Sequence, residues 1–325
     1  MSNSPPSTIR VEVVISTTPL SKLEERLQPR LAVEAEFARL GHSYRHGPFH
    51  RFFDHQIQRP LLIVGLSLVG LLGKGKRNAL SPVVRNVPLY FKDLPPRFDG
   101  FRLMHLSDFH IDGVDGLAEA LAAVLRETPC DLCVFTGDYR FDDRGPCEAV
   151  YPRMRTVVDS IRSRHGIYGI LGNHDPGDAA LRLQAMGVQM LVNDSARITE
   201  NGESIWLLGL DDNFDYNRHD LPLALENVPP AAFKILLAHA PELFEEADAR
   251  GIQLNLSGHT HAGQIRLPVI GALKQNARCP PEFAWGAWKH RNLQGYTSCG
   301  VGCSTLPIRY NCPPEIAMLE LRRVT

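Results

Sequence analysis

FRLMHLSDFH, residues 101–110, is the stretch on which the fold turns. Phe101–Leu106 is a short apolar run of the kind that forms a buried strand. It feeds directly into Ser107-Asp108-Phe109-His110, where a carboxylate and an imidazole stand two residues apart. The same texture recurs at Leu132–Phe135, 168–171, 205–210, 234–237 and 253–256, each an apolar run ending near Asp, His, Gly or Asn. Helical stretches lie between several of them, at 117–127, 154–163 and 179–186. Strands alternating with helices predict an α/β domain whose polar residues gather in loops at strand ends. The tail 315–321 (EIAMLEL) reads as a closing strand, so this domain is expected over 84–325.

Five short motifs follow the strands in order: Ser107-Asp108-Phe109-His110, Gly137-Asp138, Gly172-Asn173-His174-Asp175, Ala238-His239 and Gly258-His259-Thr260-His261. Asp108/His110 and His259/His261 are i, i+2 pairs, which in an extended chain point to one side. Asp, Asn and His together suit Mn, Fe, Zn or Co and do not suit a thiolate-selected metal. Seven such ligands exceed what one catalytic ion needs and fit two ions sharing a carboxylate.

In this order the motifs resemble those of the calcineurin-like metallophosphoesterases, whose pattern is D-x-H, GD, GNH, H and GHxH. The runs FRLMHLSDFH and GHTHAGQIRLP look closest to the bacterial phosphodiesterase-like branch with an N-terminal apolar segment. The resemblance covers about 220 residues. It implies a four-layer αββα sandwich with a dimetal centre at the sheet edges, preceded here by a helical and apolar extension. By motif, Asp108, His110 and His261 would hold one metal, Asn173, His239 and His259 the second, and Asp138 would bridge them. The cofactors expected are two divalent ions, Mn, Fe or Zn. His174 would lie beyond the metals as the catalytic residue, touching the phosphate or protonating the leaving oxygen. One departure is Phe141, three residues after Asp138, where many members carry Asp or Arg; Arg140, Asp142 and Asp143 flank it.

Two metals sharing a ligand lower the pKa of a bridging water and stabilise charge on phosphate oxygens. Neutral imidazoles would need orienting acceptors, for which Asp175 and Asp112 are the nearest acidic residues in sequence. Asp211 and Asp212 either shape the pocket or make a turn, and the loops 211–221 and 277–296 would wall the substrate site. His105 reads as a core histidine, and His165, His219 and His290 as surface or loop residues. Cys130 and Cys133 read as strand packing. Cys279, Cys299, Cys303 and Cys312 lack zinc-site spacing, and CGVGC (299–303) reads as a tight turn.

With 35 basic against 36 acidic residues, the net charge of −1 offers no field for nucleic acid, and no nucleic-acid partner is expected. Seven cysteines in 325 residues fit reduced thiols, not a disulfide scaffold. No secretory signal is visible, which points to the cytoplasm. Residues 10–16 alternate like a strand. Ser21 and Glu24 have capping-box spacing ahead of a helix that Pro29 is expected to interrupt before 30–40, with Gly41 as its stop. Residues 60–73 (PLLIVGLSLVGLLG) are uncharged and bracketed by Arg51, Arg59, Lys74, Lys76 and Arg77. As a helix they extend about 21 Å against about 30 Å of hydrocarbon, too short for a comfortable span. Upstream lie His42, His46, His50 and His55 among aromatic residues. Membrane-surface contact through 42–77, peripheral at the cytoplasmic face of the inner membrane, competes with a buried helix packed on the catalytic domain. The expected function is hydrolysis of a phosphodiester or pyrophosphate, with a lipid-linked substrate such as UDP-2,3-diacylglucosamine or a soluble one. A non-catalytic metal-binding scaffold is the rival class.

Overall fold

The computed structural model describes residues 20–41, 59–68, 70–272 and 277–324. The expected strand at 10–16 and the His-rich aromatic run 42–58 lie outside the described residues. Two six-stranded sheets face each other. In the first, β1 (Val83–Phe91), β14 (Glu315–Arg323), β2 (Phe101–Leu106), β3 (Leu132–Phe135), β4 (Ile167–Gly169) and β5 (Val188–Met190) lie in that order. In the second the order is β12 (Gly286–His290), β13 (Leu293–Thr297), β9 (Leu254–Ser257), β8 (Phe233–Leu237), β7 (Glu203–Gly209) and β6 (Asp194–Glu200). A small antiparallel ribbon pairs β10 (Arg266–Leu267) with β11 (Gly271–Ala272).

Period-2 alternation divides the apolar residues into three seams. On β2 and β3, Leu103, Leu132 and Val134 point between the sheets, where they meet Ile205, Leu207, Ile235 and Leu237. Their neighbours Met104, Leu106, Cys133 and Phe135 face outward against α4 (Leu117–Arg126), α5 (Val150–Val158) and α6 (Asp178–Ala185). On the far side, Leu208, Leu210 and Leu236 pack on α7 (Leu221–Leu225) and α8 (Phe244–Ala249). The result is the αββα sandwich, with β2–β5 parallel in one sheet and β7, β8, β9 and β13 parallel in the other. Polar loops leave the carboxyl ends of β2, β3, β4, β8 and β9 on one edge of the sandwich.

Helix α1 runs unbroken over Leu20–Leu40, so Pro29 does not interrupt it. Pro29 and Glu25, whose carbonyl loses its usual partner, are both exposed, and water can serve that carbonyl. The buried face Leu23, Leu27, Arg30, Val33 and Phe37 holds the helix on the sandwich. Gly41 ends it at φ 78°. Helices α2 (Arg59–Leu68) and α3 (Leu71–Ala79) follow; α2 buries none of its side chains, and α3 buries Gly75 and Ala79. His165 lies in a loop, as expected, but is buried there, with its Nε2 2.9 Å from Glu200. His105 is a core histidine: its Nε2 sits 2.8 Å from the Thr136 hydroxyl, and burial pushes its pKa down to about 3.

The turn CGVGC is a backing plate for the loop after β2. Val301 N–H donates to the Ser107 carbonyl at 2.9 Å and Gly302 N–H to the Asp108 carbonyl at 2.8 Å. A Cβ on Gly302 would fall 1.9 Å from the Phe109 carbonyl oxygen, so only glycine permits this approach. Gly302→Ala should therefore destabilise the chain by on the order of 1–3 kcal/mol, seen as a lowered midpoint in thermal unfolding. A midpoint equal to that of the parent chain would show that the loop does not press on Phe109.

Candidate metal centre

Five of the seven expected ligands have left-handed backbone without being glycine: Asp108 (φ 52°), His110 (37°), Asp138 (59°), His259 (66°) and His261 (51°). Each such residue costs about 1–3 kcal/mol and persists only where its surroundings over-determine it. The i, i+2 pairs therefore converge through folded-back loops and not through extended alternation. Asp108 N–H donates to the Gly137 carbonyl at 3.0 Å and His110 N–H to the Asp138 carbonyl at 2.9 Å, locking the loop after β2 onto the loop after β3.

The imidazoles are oriented by main-chain carbonyls. His110 Nδ1 lies 2.7 Å from the Arg140 oxygen, His239 Nδ1 2.7 Å from Thr136, and His174 Nδ1 2.8 Å from Phe141. A carbonyl only accepts, so each Nδ1 carries a proton and each Nε2 is the atom left for other partners. Asp112 and Asp175 do other work. Asp112 accepts from Phe141 N–H at 2.7 Å, and Asp175 from the N–H groups of Asp138, Tyr139 and Gly172 at 2.8, 2.7 and 2.8 Å.

Asp108, His110 and His261 bring ligand atoms within 4.8 Å of one another, and so do Asp138, His239 and His259. His110 Nε2 is 3.1 Å from His261 Nε2, which is 3.4 Å from Asp108 Oδ1. Asn173 Oδ1 is 3.0 Å from both His239 Nε2 and His259 Nδ1. Asp138 Oδ2 stands between the two sets, 3.5 Å from His110 Nε2 and 3.3 Å from His239 Nε2. His174 joins His110 and Asp138 in a third such group. Donors held at about 2.1 Å from one ion and 90–110° apart lie about 3.0–3.4 Å from each other, so these spacings fit divalent metals.

The electrostatics point the same way. Burial, and after it the Asp138 carboxylate, push the Asp108 pKa up to about 6 against the pull of His239. Burial and the neighbouring His174 press His110 down to about 3, so its imidazole is neutral and offers a lone pair. Burial opposes protonation of His239, but the adjacent Asp138 outweighs it and raises that pKa well above normal.

Several residues of the centre carried no motif signal. Asp215 accepts from Asn173 Nδ2 at 3.3 Å, which turns Asn173 Oδ1 toward the two histidines. Asp212 makes the turn, accepting from the N–H groups of Phe214, Asp215 and Tyr216 at 3.1, 2.7 and 2.8 Å. The Phe214 ring lies 3.8 Å from that of His259. Arg140 donates to the carbonyls of His174, Asp143 and Gly145 and to Cys147 Sγ, which makes it a brace for the loop and not a phosphate clamp. Asp212 stood out after the apolar run 205–210 and Arg140 beside Gly137-Asp138, whereas only three-dimensional placement marks Phe214 and Asp215.

The family model for calcineurin-like phosphoesterases matches residues 101–263, the span from β2 to the last of the clustered histidines. The chain belongs to the calcineurin-like phosphoesterase family. It is 30% identical over 247 residues to an uncharacterized metallophosphoesterase, YkuE, of Bacillus subtilis, covering 70% of this chain and 82% of that protein. It is 32% identical to a bovine transmembrane protein with a metallophosphoesterase domain, over 79% of this chain and 60% of that one. To the phosphodiesterase YaeI of Escherichia coli it is 27% identical, over 74% of this chain and 87% of the relative. The protein is a phosphoester hydrolase of this family, and the family implies divalent metal ions.

Asp215 is the residue whose role can be read only from this geometry. Asp215→Ala should weaken metal binding by about 10–100-fold, the usual cost of losing a ligand's orienting partner, in competition with a chelator. Unchanged affinity would mean that Asn173 is held by other contacts.

Proposed function

We propose a dinuclear hydrolase of phosphodiester or pyrophosphate bonds, in which Asp108, His110 and His261 hold one divalent ion and Asn173, His239 and His259 the other. Asp138 is the shared ligand, and its Oδ2 between His110 and His239 is the observation that carries this reading. The oxygen and imidazole donors favour Mn, Fe or Zn. When bound, the pair of ions supplies Lewis-acid charge and an activated water. His174 is the proton donor to the leaving oxygen. Its Nδ1 is committed to the Phe141 carbonyl, so Nε2 is the working atom. Burial disfavours its charge, but the carboxylates of Asp138, Asp143, Asp175 and Asp215 outweigh burial and raise its pKa. Asp138→Ala should lower bound metal from about two ions per chain to below one by elemental analysis; two ions retained would overturn the shared-ligand role. His174→Ala should keep the metals and slow turnover by about 10²–10⁴. Metal loss in that variant would make His174 a ligand instead.

The substrate side of this reading is a lipid-linked phosphodiester or pyrophosphate at a membrane surface, for which UDP-2,3-diacylglucosamine is one test compound. No helix among the described residues is long and apolar enough to cross a membrane. Helix α2 nevertheless leaves Leu61, Val64 and Leu68 exposed at 73, 57 and 83%, which disfavours a buried helix and suits an interface flanked by Lys74, Lys76 and Arg77. Its first residue sits at the rim of the centre. Arg59 pairs with Asp142 at 3.6 Å and lies 4.6 Å over the ring of Phe141, whose carbonyl orients His174. A headgroup phosphate at the centre would then have its acyl chains beside α2. The chain should co-sediment with anionic vesicles, and Leu61→Ser with Leu68→Ser should abolish this. A parent chain left wholly in the supernatant, with equal turnover of soluble and acylated diesters, would favour a soluble substrate.

A further inference from the structure

Helix α1 lies outside the matched span 101–263, yet it sends one charged side chain into the heart of the sandwich. Arg30 has no exposed surface. Its Nη2 donates to the carbonyls of Gly172, at 2.7 Å, and Asp175. Those carbonyls bracket Asn173 and His174, the two residues of the β4 loop that the hydrolytic reading uses. The Nη1 atom pairs with Asp211 at 2.5 Å, and the guanidinium lies 3.7 Å from the centroid of the Tyr216 ring. Glu34, one turn further along α1, accepts from Gly177 N–H at 2.6 Å and from the Tyr216 hydroxyl at 3.3 Å. The contacts of α1 therefore fall on both loops that face Asn173, 172–177 and 211–216.

We infer that Arg30 is a positioning residue of the hydrolytic centre and that α1 is a working part of the catalytic unit. The inference rests on the dinuclear reading above for what the 172–175 loop does, but the contacts themselves do not depend on it. Burying a guanidinium is expensive unless it is paired and its donors are used. A buried leucine would dock α1 without that cost. What arginine adds is a planar fork that reaches two carbonyls and a carboxylate together. The β4 loop has few other restraints on those carbonyls: Tyr216 Oη reaches the Asp175 oxygen at 3.4 Å, and Asp175 N–H folds back on the Gly172 oxygen at 3.4 Å, both longer than the Arg30 bond to Gly172.

The test compares Arg30→Met, Arg30→Lys and Lys22→Ala in the full chain. Lys22 also anchors α1, by a 2.6 Å pair with Asp194, but reaches neither loop. Hydrogen exchange of the 171–178 segment, with and without added Mn²⁺, gives a readout independent of activity. Arg30→Met should speed that exchange at least tenfold, weaken one of two Mn²⁺ sites by about 10–100-fold, and lower kcat with KM changed less than threefold. Arg30→Lys, keeping charge but not the fork, should fall between the parent chain and Arg30→Met. Lys22→Ala should match the parent chain in all three. Exchange at the parent rate in Arg30→Met overturns the inference, as does equal loss of metal and exchange protection in Lys22→Ala. If Arg30→Met does not fold, parent-like behaviour of a folded Arg30→Lys overturns it equally. A parent chain that binds no Mn²⁺ refutes the dinuclear reading instead, and the exchange comparison still decides whether Arg30 holds the loop.

Discussion

One carboxylate sets the requirements for the rest of the molecule. Asp138 Oδ2 faces an imidazole from the loop after β2 on one side and an imidazole from the loop after β8 on the other. Those loops belong to different sheets, so the two sheets must meet with their carboxyl edges in register. The other carboxylate oxygen accepts from His174 N–H at 2.9 Å, and the Asp138 amide is held by Asp175 at 2.8 Å. A Cβ on Gly172 would fall 2.2 Å from Asp138 Oδ1, so the β4 loop can approach only as glycine. A buried carboxylate in this position is unfavourable without positive charge nearby. On the dinuclear reading proposed above, bound cations supply that charge.

The loops of the cluster are held from two sides by buried arginines that donate to main-chain carbonyls. Arg309 donates to the carbonyls of Cys299, Gly300, Gly302 and Cys312, fixing the 299–303 turn that supports Ser107 and Asp108. Arg30 does the same for Gly172 and Asp175 behind Asn173. Carbonyl oxygens in irregular loops have few main-chain partners, and a guanidinium satisfies several at once. Left-handed ligand residues are therefore tolerated because their neighbours cannot relax without stranding a buried charge.

How much of this was legible in the sequence follows from where each signal resides. Phe101–Leu106 and Leu132–Phe135 matched β2 and β3 residue for residue, because both strands are almost wholly buried and mostly apolar. The convergence of the Asp, Asn and His residues was equally legible, since each sits beside a turn residue near a strand end. Edge strands were not. β6 reads DSARITE, alternating and half polar, and β12 carries Trp288 as its one buried side chain. Pro29 misled because local propensity has no knowledge that the rest of α1 packs well enough to hold a helix around it. The orienting acceptors were missed because they are carbonyls, which every residue has. Arg30, Arg309 and Asp215 were invisible for a related reason: an arginine or aspartate outside a motif carries no mark of what its loop neighbours need.

On the reading proposed above, in which His174 moves a proton and is no metal ligand, it shows why so much of the structure lies outside the ligand set. A metal ligand is oriented in part by its ion, whereas a residue that must move a proton at a defined atom takes its whole orientation from protein. The His174 N–H goes to Asp138, its carbonyl accepts from Arg140, and its Nδ1 donates to Phe141. Each of these is braced again, Phe141 by Asp112 and by Arg59 stacked on its ring, and the carbonyls on either side of Asn173-His174 by Arg30. The outermost braces come from α1 and α2, which precede the αββα sandwich in the chain. The N-terminal helices and the αββα core are therefore coupled through the contacts that hold His174.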